Sequence, residues 1–272
     1  MWYLKLEWLK LKHLRYVKVM LILWLVAFLA IPIAANYFLD WLSSQGETLE
    51  NFFDIRPDQL PIFDFVDIWQ NLAYVYKFLT IFLMLIVVIS VTTEWEEKTF
   101  RQNVIDGLTR KEFFYSKIGF IVVLSLVSTT LLFLLGLFTG MALSPVTEFK
   151  YIVKNIDFLL AYFLHLVYHL SLGMLAAMLI RRTGLTIILL LFWMYIFEPI
   201  AGSIINYGLD LPWLANSLPF EVSWGLVPIP FGRYILQPTV SAVDYLYVVK
   251  SMIYIGVIWI STGYLLIVKD IK

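Results

Sequence analysis

Cysteine is missing from all 272 residues, which excludes disulfides, thiolate metal sites and cysteine nucleophiles. The redox compartment therefore cannot be read from the chain. No G-x-x-x-x-G-K-[ST] phosphate loop occurs either, so the chain is not expected to cradle ATP itself. Charge is scarce, at 15% of residues, and sums to zero. What fills the sequence instead is apolar: 61% hydrophobic residues and 17% aromatics, with a mean hydropathy of +0.83. Soluble domains hold roughly half apolar residues. This is the composition of an integral membrane protein, long enough for about six spans with short connections.

Six stretches meet the requirement of about 20 mostly apolar residues. They are Val17–Leu39, Asn71–Thr93, Ile118–Met141, Phe158–Ile180, Leu185–Asn206 and Asp244–Val268. An even count puts both termini on one side. That side carries fourteen Lys and Arg, against four (Arg56, Lys150, Lys154, Arg233) on the other. The positive-inside rule makes the basic side cytoplasmic. The loop between Asp40 and Gln70 agrees, with seven acids and one base.

The N-terminus has a basic start, but its apolar run is span-length rather than the 7–15 residues of a signal-peptide core, so it is expected to be retained. Residues 1–16, rich in Trp, Leu and Lys, suggest an interfacial segment, although their charges fall at nearly all azimuths of a helix. The stretch 207–243 is apolar yet holds Pro212, Pro219, Pro228, Pro230 and Pro238. Proline interrupts helices, so short broken helices dipping into the outer leaflet are expected there.

Between the second and third spans, EWEEKTFRQNVIDGLTRKEFFYSK (Glu94–Lys117) carries ten charges in 24 residues. Phe100, Val104 and Leu108 recur at i, i+4 and i+8, a narrow apolar stripe on a charged helix. Asp106–Gly107 supplies a stop, because glycine adopts the left-handed conformation that ends helices. Thr109 and Glu112 then form a capping box that starts a fresh helix. Orientation in the membrane needs only Lys and Arg, not the five acids beside them or the stripe. The plainer reading is a solvated, charged loop. The alternative is a surface that docks another protein.

This segment resembles the loop between the second and third spans of ABC-2-type transporter permeases. The resemblance rests on Glu94, Thr99, Gly107, Arg110, Phe113 or Phe114, and Lys117; Lys98 stands where the family often has glycine. It extends to the layout of the whole chain. It implies one permease domain over 1–272, all α-helical, with a cytoplasmic coupling helix in 94–117 and re-entrant helices in 207–243. It also implies a second permease copy or a paralogous permease, and separate ATPase subunits that carry the ATP and Mg. The expected location is a bacterial cytoplasmic membrane, the expected direction export, and no nucleic acid is involved. In that reading Phe100 and Val104 are the anchors of the docking surface. Glu94, Glu97 and Arg101 steer from its rim.

Three further constellations stand inside the spans. His165 and His169 lie one helical turn apart, which is metal-ligand spacing without the Glu of H-E-x-x-H. Polar packing between helices is the plainer reading, and a metal-dependent intramembrane enzyme is the rival one. A non-transporting scaffold or sensor is a second rival. Gly136-x-x-x-Gly140 fits close helix packing. Lys77, Glu198 and Lys250 fall at similar depths in the outer half of the membrane, where the lysines could snorkel. Glu198 is too short for that, and it is expected to pair with Lys77 or Lys250.

Overall fold

Inside lipid a chain must satisfy its own N–H and C=O groups, and long aliphatic runs do so as helices. In the computed structural model, residues 10, 14–44, 61–97, 99, 102, 105, 107–232 and 242–267 are described. All regular structure among them is helical. Six helices are long and apolar enough to cross a membrane: Arg15–Trp41, Ile68–Glu96, Arg110–Leu143, Phe149–Ile180, Thr183–Gly208 and Tyr245–Leu266, here spans 1–6. Spans 2 and 4 are each 67% buried within the protein, while the other four lie between 17% and 28%. Two central pillars therefore carry four peripheral helices.

Small residues let the pillars approach their neighbours. A Cβ on Gly173 of span 4 would stand 2.8 Å from Met84 Cγ of span 2. Gly136 and Gly140 of span 3 face the rings of Trp69 and Phe65, so the expected close-packing glycines receive aromatic rings from the start of span 2 and the turn before it. Polar side chains add single fastenings. Trp259 Nε1 of span 6 donates to Ser171 Oγ of span 4 at 2.9 Å, and the Ser128 and Tyr162 hydroxyls lie 3.0 Å apart.

Three spans depart from the regular helices expected, span 4 by a break between Ile152 and Asp157 where Asn155 takes a φ of +60°. Span 2 tightens into a 3₁₀ turn at Lys77–Leu79. Span 5 is interrupted by π-helical turns at Trp193–Phe197 and Ile204–Gly208. Pro199 lacks the N–H that would continue the α-helical ladder. The Glu198 N–H instead reaches back five residues to the Trp193 carbonyl. After span 5 come two short helices, Pro212–Ala215 and Pro219–Gly225, each opening on a proline. That is the helix position where a missing N–H costs least. Pro228 and Pro230 follow, and Pro238 lies outside the described residues.

At the opposite, basic end the Thr109–Glu112 capping box is present, and Gly107 has a φ of +100°. A glycine is required there because other residues are strained in that region. Thr99, Gln102 and Ile105 are helical. Most of the 1–16 segment lies outside the described residues.

Candidate functional site

A segment broken by prolines exposes backbone carbonyls and N–H groups that no helix satisfies, so it needs donors and acceptors from elsewhere. The Pro212–Pro228 segment obtains them from the polar side chains of the spans. Lys77 Nζ donates to the Val227 carbonyl at 2.9 Å, and Gln70 Nε2 to the Pro228 carbonyl at 3.2 Å. Lys250 Nζ reaches the Asn216 carbonyl and Ser217 Oγ, both at 3.1 Å, while Tyr254 donates to the Ser217 carbonyl at 2.6 Å. Glu198 works with the opposite polarity. Its Oε1 accepts the Phe220 N–H and, at 3.1 Å, the Glu221 N–H; its Oε2 accepts Trp193 Nε1 at 2.8 Å.

The expected ion pair is therefore not formed. Among the described residues no salt bridge joins Glu198 to Lys77 or Lys250. The physical reason is the free N-terminus of the Pro219–Gly225 helix, whose N–H groups and dipole attract a carboxylate. The lysines are matched by freed carbonyls rather than by the acid. Lys77 is also held 4.1 Å from the centre of the Tyr74 ring and 4.2 Å from that of Trp224.

The two histidines join the same assembly. His165 Nδ1 is 3.1 Å from Ser223 Oγ, and His169 Nδ1 is 3.0 Å from it. Both rings are buried and lie 4.1 Å apart. They sit roughly 12 and 18 Å from the Asp157 end of their helix at 1.5 Å per residue. Ser223 meets span 4 at that depth. No group of three His, Asp or Glu able to hold a metal occurs among the described residues.

Beside this assembly a cavity of about 840 Å³ opens between span 5 and the proline-broken segment, lined by Tyr74, Lys77, Glu198, Glu221, Trp224 and Tyr247 among others. Its size is that of a small-molecule site.

The basic end has its own arrangement. Glu94, expected at a rim, is buried, and its Oε1 lies 2.7 Å from the buried Lys117 ammonium. Lys117 also donates to Ser90 Oγ at 2.8 Å, and Lys10 stands 3.7 Å from the same Glu94 oxygen. One helical turn separates Ser90 from Glu94, and both face span 3, so the lysine has a ready-made socket. Thr99 Oγ1 reaches the Glu94 carbonyl at 3.4 Å, and Glu97 is exposed at the end of span 2. Arg110 Nη1 approaches the Leu266 carbonyl of span 6 at 3.4 Å. Phe100, Arg101, Val104 and Lys98 lie outside the described residues.

Sequence reading passed over several participants. Glu96 accepts the Thr183 N–H at 2.8 Å, capping the start of span 5, and Arg181 lies 4.2 Å over the Trp95 ring. Ser90, Trp193 and Ser223 were also missed. The signal for them was available in kind: buried lysines and histidines require partners, and five prolines advertise free carbonyls. Comparison with known proteins gives no match, whether to a family model, a curated protein or a solved structure.

Proposed function

We propose that the chain is the membrane-spanning subunit of an ATP-driven transporter of the ABC-2 permease kind. Separate ATPase subunits bind ATP and Mg and push on the Glu94–Lys117 segment, which acts as a coupling helix. The segment lies on the cytoplasmic side with both termini, as the distribution of Lys and Arg requires. The membrane is the bacterial cytoplasmic one, the direction export, and the 207–243 segment is re-entrant from the outer face.

One observation carries this reading. The two ends of the charged segment, which are the adjoining ends of spans 2 and 3, are fastened to several spans at once: Glu94 to Lys117 joins spans 2 and 3, Glu96 to Thr183 joins spans 2 and 5, and Arg110 to Leu266 joins spans 3 and 6. A solvated loop would need no such bracing. A force applied to the segment would reach four helices. Spans 1 and 5, at 22% and 17% buried, leave apolar faces broad enough for lipid and for a second permease copy.

The test is capture of the ATPase. Phe100→Ala with Val104→Ala is expected to leave membrane insertion intact and to strip the ATPase from the purified complex. Losing a buried aromatic anchor costs about 2 kcal/mol, or roughly thirtyfold in affinity. Full retention of the partner and of its stimulated ATP hydrolysis would overturn the docking role.

A further inference from the structure

The cavity beside the proline-broken segment has walls of a particular chemistry. Four of its lining residues carry charge: Lys77, Glu198, Glu221 and Asp244. Two of these are already matched. Lys77 is occupied by the Val227 carbonyl and two aromatic faces, and Glu198 by two backbone N–H groups and an indole. The charges left facing the opening are both acidic. Asp244 Oδ1 accepts the Leu246 N–H at 2.8 Å, and Glu221 makes no hydrogen bond or ion pair with its carboxylate among the described residues but lies within electrostatic reach of the Lys77 ammonium, so the lining as a whole holds three acids against one base.

Aromatic faces carry negative potential and attract cations. Here that attraction is already in use. The Lys77 ammonium sits on Tyr74 and Trp224, and Lys250 lies 5.5 Å from the centre of the Tyr247 ring. The remaining wall, from span 5, is supplied by Met194, Pro199 and Gly202, which suit an apolar body. An anion would meet two carboxylates, and a neutral molecule would leave them without use.

We infer that this cavity binds amphipathic organic cations, with Glu221 and Asp244 neutralising the charge and the aromatic walls holding the body. The inference deepens the permease reading by naming the substrate class, and it rests on that reading for the word substrate. The same chemistry is presented by a free quaternary cation and by the choline headgroup of a lipid.

The experiment uses the full chain purified in dodecyl maltoside without any ATPase, titrated with radiolabelled tetraphenylphosphonium. Saturable binding is expected. Glu221→Gln and Asp244→Asn should each weaken it by up to about fivefold, as loss of one exposed charge opposite a cation does, and Glu221→Asp should retain most of it. Both sites are exposed, so the variants should remain monodisperse. Competition by a short-chain phosphatidylcholine would assign the site to a choline headgroup, and its absence to a free cation; either keeps the cationic chemistry. Unchanged affinity in the double variant, or equal displacement by the neutral triphenylphosphine oxide, would overturn the inference. Because no ATPase is present, such a failure leaves the ATPase-capture result untouched, and failure of capture leaves this result untouched.

Discussion

Removing Glu94 should unsettle the protein more than removing Lys117, although the two form one ion pair. The asymmetry follows from what each leaves behind. Glu94→Leu takes away the carboxylate 2.7 Å from an ammonium whose side chain is 1% exposed, leaving a buried positive charge against the neutral Ser90 hydroxyl. Truncating one partner of a buried pair costs about 3–5 kcal/mol. Lys117→Met instead leaves a carboxylate that still has Lys10 at 3.7 Å, with that lysine's side chain 36% exposed and free to close in. A partly exposed pair of this kind returns about 0–1 kcal/mol, so the loss should be smaller than for Glu94→Leu by up to about 1 kcal/mol. The double variant, which removes both charges and fills their volume, should be near the parent, since apolar replacement of a buried pair is often neutral. Thermal unfolding of the purified chain in detergent, followed by tryptophan fluorescence, orders the four proteins. Equal losses in the two single variants, or a double variant as unstable as the worse single one, would refute the reasoning. If the pair also transmits the push from an ATPase, the double variant should regain stability without regaining partner-stimulated hydrolysis.

Gly136→Ala should destabilise the protein by about 1–3 kcal/mol, because the added Cβ would lie 2.7 Å from Trp69 Cζ3. Gly256→Ala, with nothing within 4 Å, is the control and should be neutral or slightly stabilising in the same unfolding assay. Glu198→Gln keeps one oxygen for the Phe220 and Glu221 N–H groups but turns an amide N–H toward Trp193 Nε1, so a loss of about 1–3 kcal/mol is expected. Glu198→Lys should cost more, and Lys250→Glu should not rescue it; recovery beyond the single variants would restore the direct ion pair.

The spans were legible because length and hydropathy alone decide them, and their ends fall within three residues of those expected except at the starts of spans 3 and 4, which begin eight and nine residues earlier, at Arg110 and Phe149. Thr109, Glu112 and Gly107 were legible because capping and left-handed turns are local chemistry. Partner choice was not local. Glu198 and Lys250 share a depth, which suggested a pair, but depth does not tell which residues face each other around a bundle. The backbone of the Pro219–Gly225 helix competed for the carboxylate and won. Glu94 looked like a rim charge for a similar reason. Its burial depends on Lys117, one span away, entering the space beside Ser90.

The contacts that hold the proline-broken segment also set an order of assembly. Lys77 waits for the carbonyl of Val227, 150 residues later, and Gln70 for Pro228, 158 residues later. At a synthesis rate of 5–20 residues per second that delay is roughly 8–30 s. Through this interval the Lys77 ammonium of span 2 stands in the bilayer without the Val227 carbonyl. A chain halted after span 5 keeps the lysine in that condition, and it is expected to be degraded faster than the full chain in a pulse-chase measurement. The segment thus behaves as a closing stitch, taken up first by side chains of spans 2, 4 and 5 and drawn tight last by Lys250 and Tyr254 of span 6.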